Sequence, residues 1–339
     1  MEATGAELGY RVHPLSRLWD ATKAVWTFYR WQPLGAFSLT VLVAFALMGI
    51  FAPVIAPYHY AETDILHRLE GPSLKHPLGT DNLGRDVLSR IIWGARVEML
   101  VGLGAVAVSG FTGTVLGALA GYFRGSLDWL VQRYVDIQMS FPGIILLITI
   151  ISMFQPGLIQ VMVAIGILLI PAVTRVVRSA SLAVSSMPYI EAARTLGAPA
   201  WRTVLRHVLP NVFPPVMVAV TTQLGQAILI EATLSFLGYG VPPPQPSWGA
   251  LLGPEARKDM LKAPLLSVWP RLAIFLAVYS FNMFGDTLRD VLDPRIRRAM
   301  SRSPLPRPFG QGHRRPEEKS RGHRPFPLPV GRRPRQPRY

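Results

Sequence analysis

The sequence predicts an all-α integral membrane protein with six transmembrane helices and both termini in the cytoplasm. Three observations carry this expectation. Half of the 339 residues are hydrophobic and only 16% are charged, an unusual balance for a soluble chain of this length. Apolar runs of about 20 residues recur, and at about 1.5 Å per helical residue such a run crosses a hydrocarbon core of about 30 Å. The basic residues between the runs concentrate in alternate segments, as retention of positive charge in the cytoplasm requires.

Residues 1–34 hold Arg11, Arg17, Lys23 and Arg30 and form a cytoplasmic segment before the first apolar run, 35–56. That run exceeds a signal-peptide core and more spans follow, so it reads as an uncleaved anchor. An extracytoplasmic segment, 57–96, leads into a five-helix core, 97–298. Its spans fall at 97–122, at 141–154 with an amphiphilic lead-in from Tyr134, and at 158–177, 212–230 and 265–284. Pro142-Gly143 opens the third span and Pro270-Arg271 lies near the outer end of the sixth. Proline is tolerated near a helix start, where its missing N–H would have had no partner. The inner segments then hold Arg124, Arg133 and the cluster Arg175, Arg178, Arg194, Arg202 and Arg206. The outer ones hold Arg68, Lys75, Arg85, Arg90, Arg257, Lys258 and Lys262, with Arg96 and Arg271 at the boundary. The second outer loop contains GYGVPPPQPS (238–247), too rich in proline to span.

The net charge of +15 suggests nucleic acid until it is located. From residue 301 onward eleven Arg and Lys face only Glu317 and Glu318, so the tail carries +9 of it. Residues 299–339 read as a disordered, Pro/Arg-rich cytoplasmic tail beside an anionic leaflet, with membrane lipid as its partner. No interleaved aromatic pattern points to nucleic acid. Cysteine is absent, which removes disulfides and thiolate metal sites. No G-x-x-x-x-G-K-[ST], H-E-x-x-H or G-x-S-x-G occurs, so the chain reads as neither an ATPase nor a hydrolase, and no cofactor is expected.

Several polar residues invite assignment. His76, Asp81 and Asp86 lack metal-ligand spacing. Gly79 and Gly84 shape turns, Asp86 pairs with Arg90 at i,i+4, and the segment serves as a contact surface for an external binding protein. Gln223 and Gln226 share a face of span five and suit either a polar pathway or helix–helix hydrogen bonds. Glu231 sits near the outer boundary, and Asn282 and Asp286 at the inner end of span six. Gly102, Gly110, Gly113, Gly117 and Gly121 mark a face for tight helix packing.

The cytoplasmic loop 178–211 contains YIEAARTLGAPAWRTVLRHVLPN (189–211). Pro188 suits a first helical position, Glu191 the first turn and Gly197 a left-handed cap; Pro199 opens a second helix that Leu209-Pro210 ends. Ala192 and Ala193 leave one face nearly bare, with Tyr189, Ile190 and Leu196 as apolar contact area. Two readings stand on these residues: a docking hook, or an ordinary loop whose Gly and Pro are caps.

The spacing of Glu191-Ala192-Ala193, Gly197 and Leu209-Pro210 resembles the signature loop of ABC-importer permeases. His207 stands where the broad pattern prefers Ile, a departure that is similar to the peptide-importer branch. HPLGTDNLGRDVLSRIIWGAR (76–96), LSFLGYG (234–240) after Glu231, and FNMFGDTLRDVLDPR (281–295) resemble segments of dipeptide, oligopeptide and nickel importer permeases. The resemblance spans about residues 35–295. It implies a six-helix permease of the ABC importer type in a bacterial or archaeal inner membrane, forming half of a pathway for di/oligopeptides or nickel. It implies as partners a second homologous permease subunit, two ATP-binding subunits and an extracytoplasmic substrate-binding protein. Glu191, Ala192, Ala193, Gly197, Leu209 and Pro210 would seat the loop in the ATPase. A self-sufficient ion-coupled transporter would need embedded acids or broken helices in repeated halves, and an intramembrane hydrolase a motif at membrane depth. The sequence displays neither.

Overall fold

The computed structural model describes residues 32–259 and 262–292. The expectations for the N-terminal segment up to residue 31 and for the basic tail lie outside the described residues. In chain order the helices are α1 (Pro33–Ile50), α2 (Ala52–Ile55), α3 (Val87–Phe123), α4 (Gly125–Ser140), α5 (Gly143–Ser152), α6 (Leu158–Ser185), α7 (Pro188–Thr195), α8 (Ala200–Thr203), α9 (Leu209–Phe236), α10 (Pro254–Arg257) and α11 (Leu265–Leu292). Helices α1, α3, α6 and α11, and the continuous run from α8 through α9, are each long and apolar enough to cross a membrane.

The third span departs from its expected form. Its lead-in is a separate helix, α4, and α5 meets it at 94°. Ten residues of α5 reach only about 15 Å, too short to cross alone. The cause is local: Phe141, just before Pro142, takes an extended backbone (φ −89°, ψ 140°), as residues before proline do. The prolyl ring that looked harmless at a helix start is the break itself.

Helices α3 and α6 set the frame. A Cβ on Gly104 would meet Met162, on Gly113 Val173, on Gly117 Thr174 and Val177, and on Gly121 Ser181 and Arg178. Residue numbers rise together on both helices, so they run parallel. Parallel neighbours need a return crossing between them, and the bent pair α4–α5 supplies it. Along α6 it engages Arg178 through Asp128, Arg175 through Asp136 and the Ile167 carbonyl through Gln138, in that order. The six crossings therefore stand, one of them broken.

The remaining spans pack antiparallel to their neighbours. Gly102 and Gly110 of α3 face Ile228 and Val220 of α9; Gly225 of α9 faces Val278 and Asn282 of α11; Gly35 of α1 faces Thr287 of α11. Both ends of the described transmembrane chain thus lie at one end of the bundle. That end also holds Arg124, Arg178, Arg194 and Arg202, and is called the basic end below. Gln223, buried on α9, accepts from Ser109 of α3 at 2.9 Å and donates to the Leu169 carbonyl of α6 at 2.9 Å. One amide ties three helices, because a buried polar group must find partners.

The α3–α6 approach predicts a sharp mutational response. A Cβ on Gly117 would lie 2.7 Å from the Thr174 carbonyl oxygen, and backbone cannot move aside. Gly117→Ala should destabilise the protein by about 1–3 kcal/mol, read as a lower unfolding temperature in mild detergent. Gly71→Ala, where a Cβ meets nothing within 4 Å, should leave that temperature unchanged.

Candidate functional site

The loop singled out by sequence lies at the basic end as two short helices around a tight turn. Pro188 occupies the first turn of α7, whose missing N–H costs no bond there, and Glu191 follows in that turn. The helix stops at Gly197, which has φ +78°. The Ala198 N–H donates to the Ala193 carbonyl and the Gly197 N–H to the Arg194 carbonyl, each at 3.0 Å. This double bond pattern is the glycine-terminated Schellman cap.

The hook is anchored from beneath. Ile190 is fully buried and packs among Tyr122, Val177, Val204, Val208 and Val212, which belong to α3, α6 and the run into α9. This corrects the expectation that Ile190 offers contact area outward. Arg194 lies 4.4 Å above the Tyr122 ring centroid, and its Nε is 3.3 Å from the Tyr122 hydroxyl. The exposed side carries Glu191 and Ala192 with Tyr189, Leu196, Trp201 and Leu205. Ala193 is half-buried. The Glu191 carboxylate has no hydrogen bond or ion pair among the described residues. Trp201 and Leu205 were passed over in the sequence because their outward direction depends on how α8 joins α9.

That junction holds a second correction. Leu209-Pro210 does not end the second helix. The chain passes from α8 through a π turn, Val204–Val208, straight into α9. The Leu209 N–H reaches back five residues to the Val204 carbonyl. The wider turn shifts the hydrogen-bond register where Pro210 offers no N–H. The hook is therefore continuous with span five, and Leu209 and Pro210 lie at the root of that span, about 13 residues beyond the cap at Gly197.

At the opposite end the 76–96 segment caps α3 and is bonded to the preceding loop through Leu69, Glu70 and His67. Asp86 accepts from the Ser89 N–H at 2.7 Å and pairs with His76 at 3.0 Å. Asp81 accepts from the backbone N–H groups of Leu83 and Arg85 and pairs with the Arg85 and Arg90 side chains. Arg90 thus reaches Asp81, and the expected Asp86 side chain is engaged in capping. Gly79 and Gly84 take positive φ as the turns require. A cavity of about 860 Å³ opens here, lined by Asn82, Arg85, Tyr239, Val241 and Gln245 among others.

Polar residues at membrane depth sort differently from their spacing. Gln223 is buried in the three-helix node, whereas Gln226 and Asn282 are exposed. Glu231, expected near the boundary, is wholly buried against Glu98 of α3, so the chain does carry embedded acids. Glu98 gave no sequence signal, since its partner lies 133 residues away.

Residues 113–298 match the profile described as binding-protein-dependent transport system inner membrane component. Residues 21–72 match the N-terminal TM domain of oligopeptide transport permease C. The chain belongs to the binding-protein-dependent permease family. It is 42% identical to the glutathione transport system permease protein GsiD of Pectobacterium atrosepticum, over 80% of this chain and 89% of that protein. Identity to the GsiD of Escherichia coli O157:H7 is also 42%, covering 80% and 90%. An inward-facing structure of the MetNI methionine ABC transporter aligns with TM-score 0.46 and 23% identity, over 61% of this chain and 96% of that one. The permease is a multi-pass inner-membrane component of an ABC importer, and ATP hydrolysis belongs to a separate subunit.

The buried anchor makes a prediction for the permease. Ile190→Ala removes the side chain that fixes α7, a loss of about 2–5 kcal/mol at a buried site. Trypsin should then cleave after Arg194 markedly faster, with global unfolding little changed. An unaltered cleavage rate would show that Ile190 does not hold the hook.

Proposed function

We propose that the permease forms half of the translocation pathway of an importer for small peptides, with glutathione, a tripeptide, as the first substrate to test. It works with a second homologous permease, two ATP-binding subunits and an extracytoplasmic substrate-binding protein. The basic end faces the cytoplasm, which puts both termini there and follows the retention of positive charge. The observation that carries the reading is the hook: the buried Ile190, with the exposed Arg194 lying over Tyr122, fastens it to the bundle, while an unpaired Glu191 and an apolar rim face outward. A surface of this kind suits a partner that binds a carboxylate and covers Tyr189, Leu196, Trp201 and Leu205.

Closure of the ATPases displaces the hook, and its continuity with α9 passes the displacement into the bundle as rigid-body rocking. Gln226 and Asn282 line the path on the face toward the second permease, because a polar side chain against lipid is unfavourable. Similarity to GsiD supports the peptide class, since those relatives are named for glutathione transport. The Glu191, Ala192, Ala193, Gly197, Leu209 and Pro210 assignment rests on the motif, with exposure beside it for Glu191, Ala192 and Gly197.

The test is uptake by the reconstituted complex. Glu191→Lys reverses the charge offered to the ATPase, and Gly197→Asp places a carboxylate at the cap. Each should lower ATP-driven glutathione uptake by about tenfold or more and release the ATPase on purification, at equal membrane abundance. Normal uptake in both variants would refute the coupling role. Loss of coupling with dipeptides, but no glutathione transport at all, would retain the hook and reject the substrate.

A further inference from the structure

The cavity of about 860 Å³ at the end opposite the hook is formed by this chain alone. Its lining comes chiefly from the cap of α3, the outer end of α5 and the stretch from Ser235 to Asp259. The volume falls within the usual range for small-molecule pockets, about 300–1,000 Å³. Much of the lining is apolar, with Ile151, Val241, Leu251 and Leu266. Two charged groups on it are left partly or wholly unused by the protein. Arg85 donates through Nε to Asp81 at 2.7 Å, and its two Nη groups have no hydrogen-bond partner among the described residues. Asp259, in the turn after α10, has a carboxylate with neither hydrogen bond nor ion pair among the described residues. The polar side-chain atoms of Asn82, Tyr239 and Gln245 are in the same position.

A guanidinium edge takes a carboxylate through paired N–H donors, and a free carboxylate takes an ammonium. A short peptide with free ends brings both charges to one cavity, with a backbone and small side chains between them. We propose that this cavity binds a free di- or tripeptide, its C-terminal carboxylate on Arg85 and its N-terminal ammonium on Asp259. The inference rests on the reading of the chain as a small-peptide permease, and adds a peptide site held by this chain alone. Length supports it: an extended tripeptide measures about 10 Å, comparable to the width of a sphere of the cavity's volume. The amides of Asn82 and Gln245 and the Tyr239 hydroxyl supply donors and acceptors for the peptide groups. A fatty acid or an anionic lipid fits worse, because it offers Asp259 no cation and brings a like charge beside it.

The anion side of the site is held ready. The Asp81 carboxylate accepts from the Leu83 and Arg85 backbone N–H groups at 2.8 and 3.0 Å, which fixes it and, through Nε, sets the direction of the Arg85 fork. A side chain already fixed loses little freedom on binding. The loop that carries Tyr239 and Gln245 is also secured just beyond them. Trp248 is 1% exposed, and its ring nitrogen donates to the Ile91 carbonyl of α3 at 3.0 Å. A peptide leaving the external binding protein would be kept at the outer end of the bundle, where both of its terminal charges are read.

The test is calorimetric titration of the assembled permease–ATPase complex in lipid nanodiscs, without the binding protein, using trialanine as the probe. Trialanine should bind, and C-terminal amidation or N-terminal acetylation should each weaken it by about tenfold. Asp259→Asn should weaken trialanine by about tenfold, yet bind the acetylated peptide no worse than the wild type does. Arg85→Lys keeps the charge but loses the fork, and should weaken trialanine while discriminating less against the amide. Lys258→Gln, next to Asp259 but off the cavity lining, should change nothing. If Arg85→Lys fails to fold, Asp259→Asn decides the matter, since that carboxylate bonds to no described residue. No binding of trialanine, equal binding of the blocked peptides, affinities that ignore both substitutions, or an equal loss in Lys258→Gln would each overturn the proposal. Uptake of trialanine and glutathione by the complete transporter is measured alongside. Uptake without such binding would strike the site and leave the small-peptide reading; binding without uptake of either peptide would strike that reading and leave the site.

Discussion

The close parallel approach of α3 and α6 is the constraint on which the rest of the permease depends. Side chains larger than hydrogen at Gly113, Gly117 and Gly121 would collide with α6, so the two backbones meet directly. Lipid supplies no hydrophobic drive for helices to associate, and van der Waals contact at short range takes its place. Parallel direction then forces a return crossing between them, and that crossing is squeezed into a broken helix. The same contact brings Tyr122 and Val177 together at the basic end, which creates the floor on which Ile190 sits. Gln223 locks the third member, α9, onto the pair by bonding both.

Under the proposed coupling role, this arrangement would let a short surface loop act on the bundle. A hook linked only by its two chain ends would bend when pushed. Here Ile190 and Arg194 fix it sideways to α3 and α6, and the π turn joins it end-on to α9. The weak points of the backbone are elsewhere, at Pro142 and in the loops of the opposite end. In the proposed coupling role, displacement of the hook would move the packed helices together.

Much of this was legible in the sequence because it is encoded locally. Runs of apolar residues marked the spans, Gly197 marked a left-handed cap, and the glycine face of α3 marked close packing. What stayed hidden depends on tertiary partners. Pro142 breaks its span while Pro210 does not interrupt its helix, and the difference is the π turn that absorbs Pro210. Ile190 and Leu196 are equally apolar, yet only the first points at the floor formed by Tyr122 and Val177. Gln223 and Gln226 stand three residues apart but point into and out of the bundle, since the packing of α9 against two helices covers only part of its circumference. Glu98 gave no signal in the sequence, because Glu231 is remote from it along the chain.

The central claim is that hook and bundle move as one body. The chain contains no cysteine, so spin labels can be placed at Thr195 and Phe111, both exposed, without removing native thiols. Their separation should be measured by pulsed electron resonance in the assembled transporter, nucleotide-free and with ATP trapped. The account predicts one unchanged distance in both states while the transporter as a whole switches. A shift of several ångströms between the labels would mean that the hook bends on its own, and would contradict it.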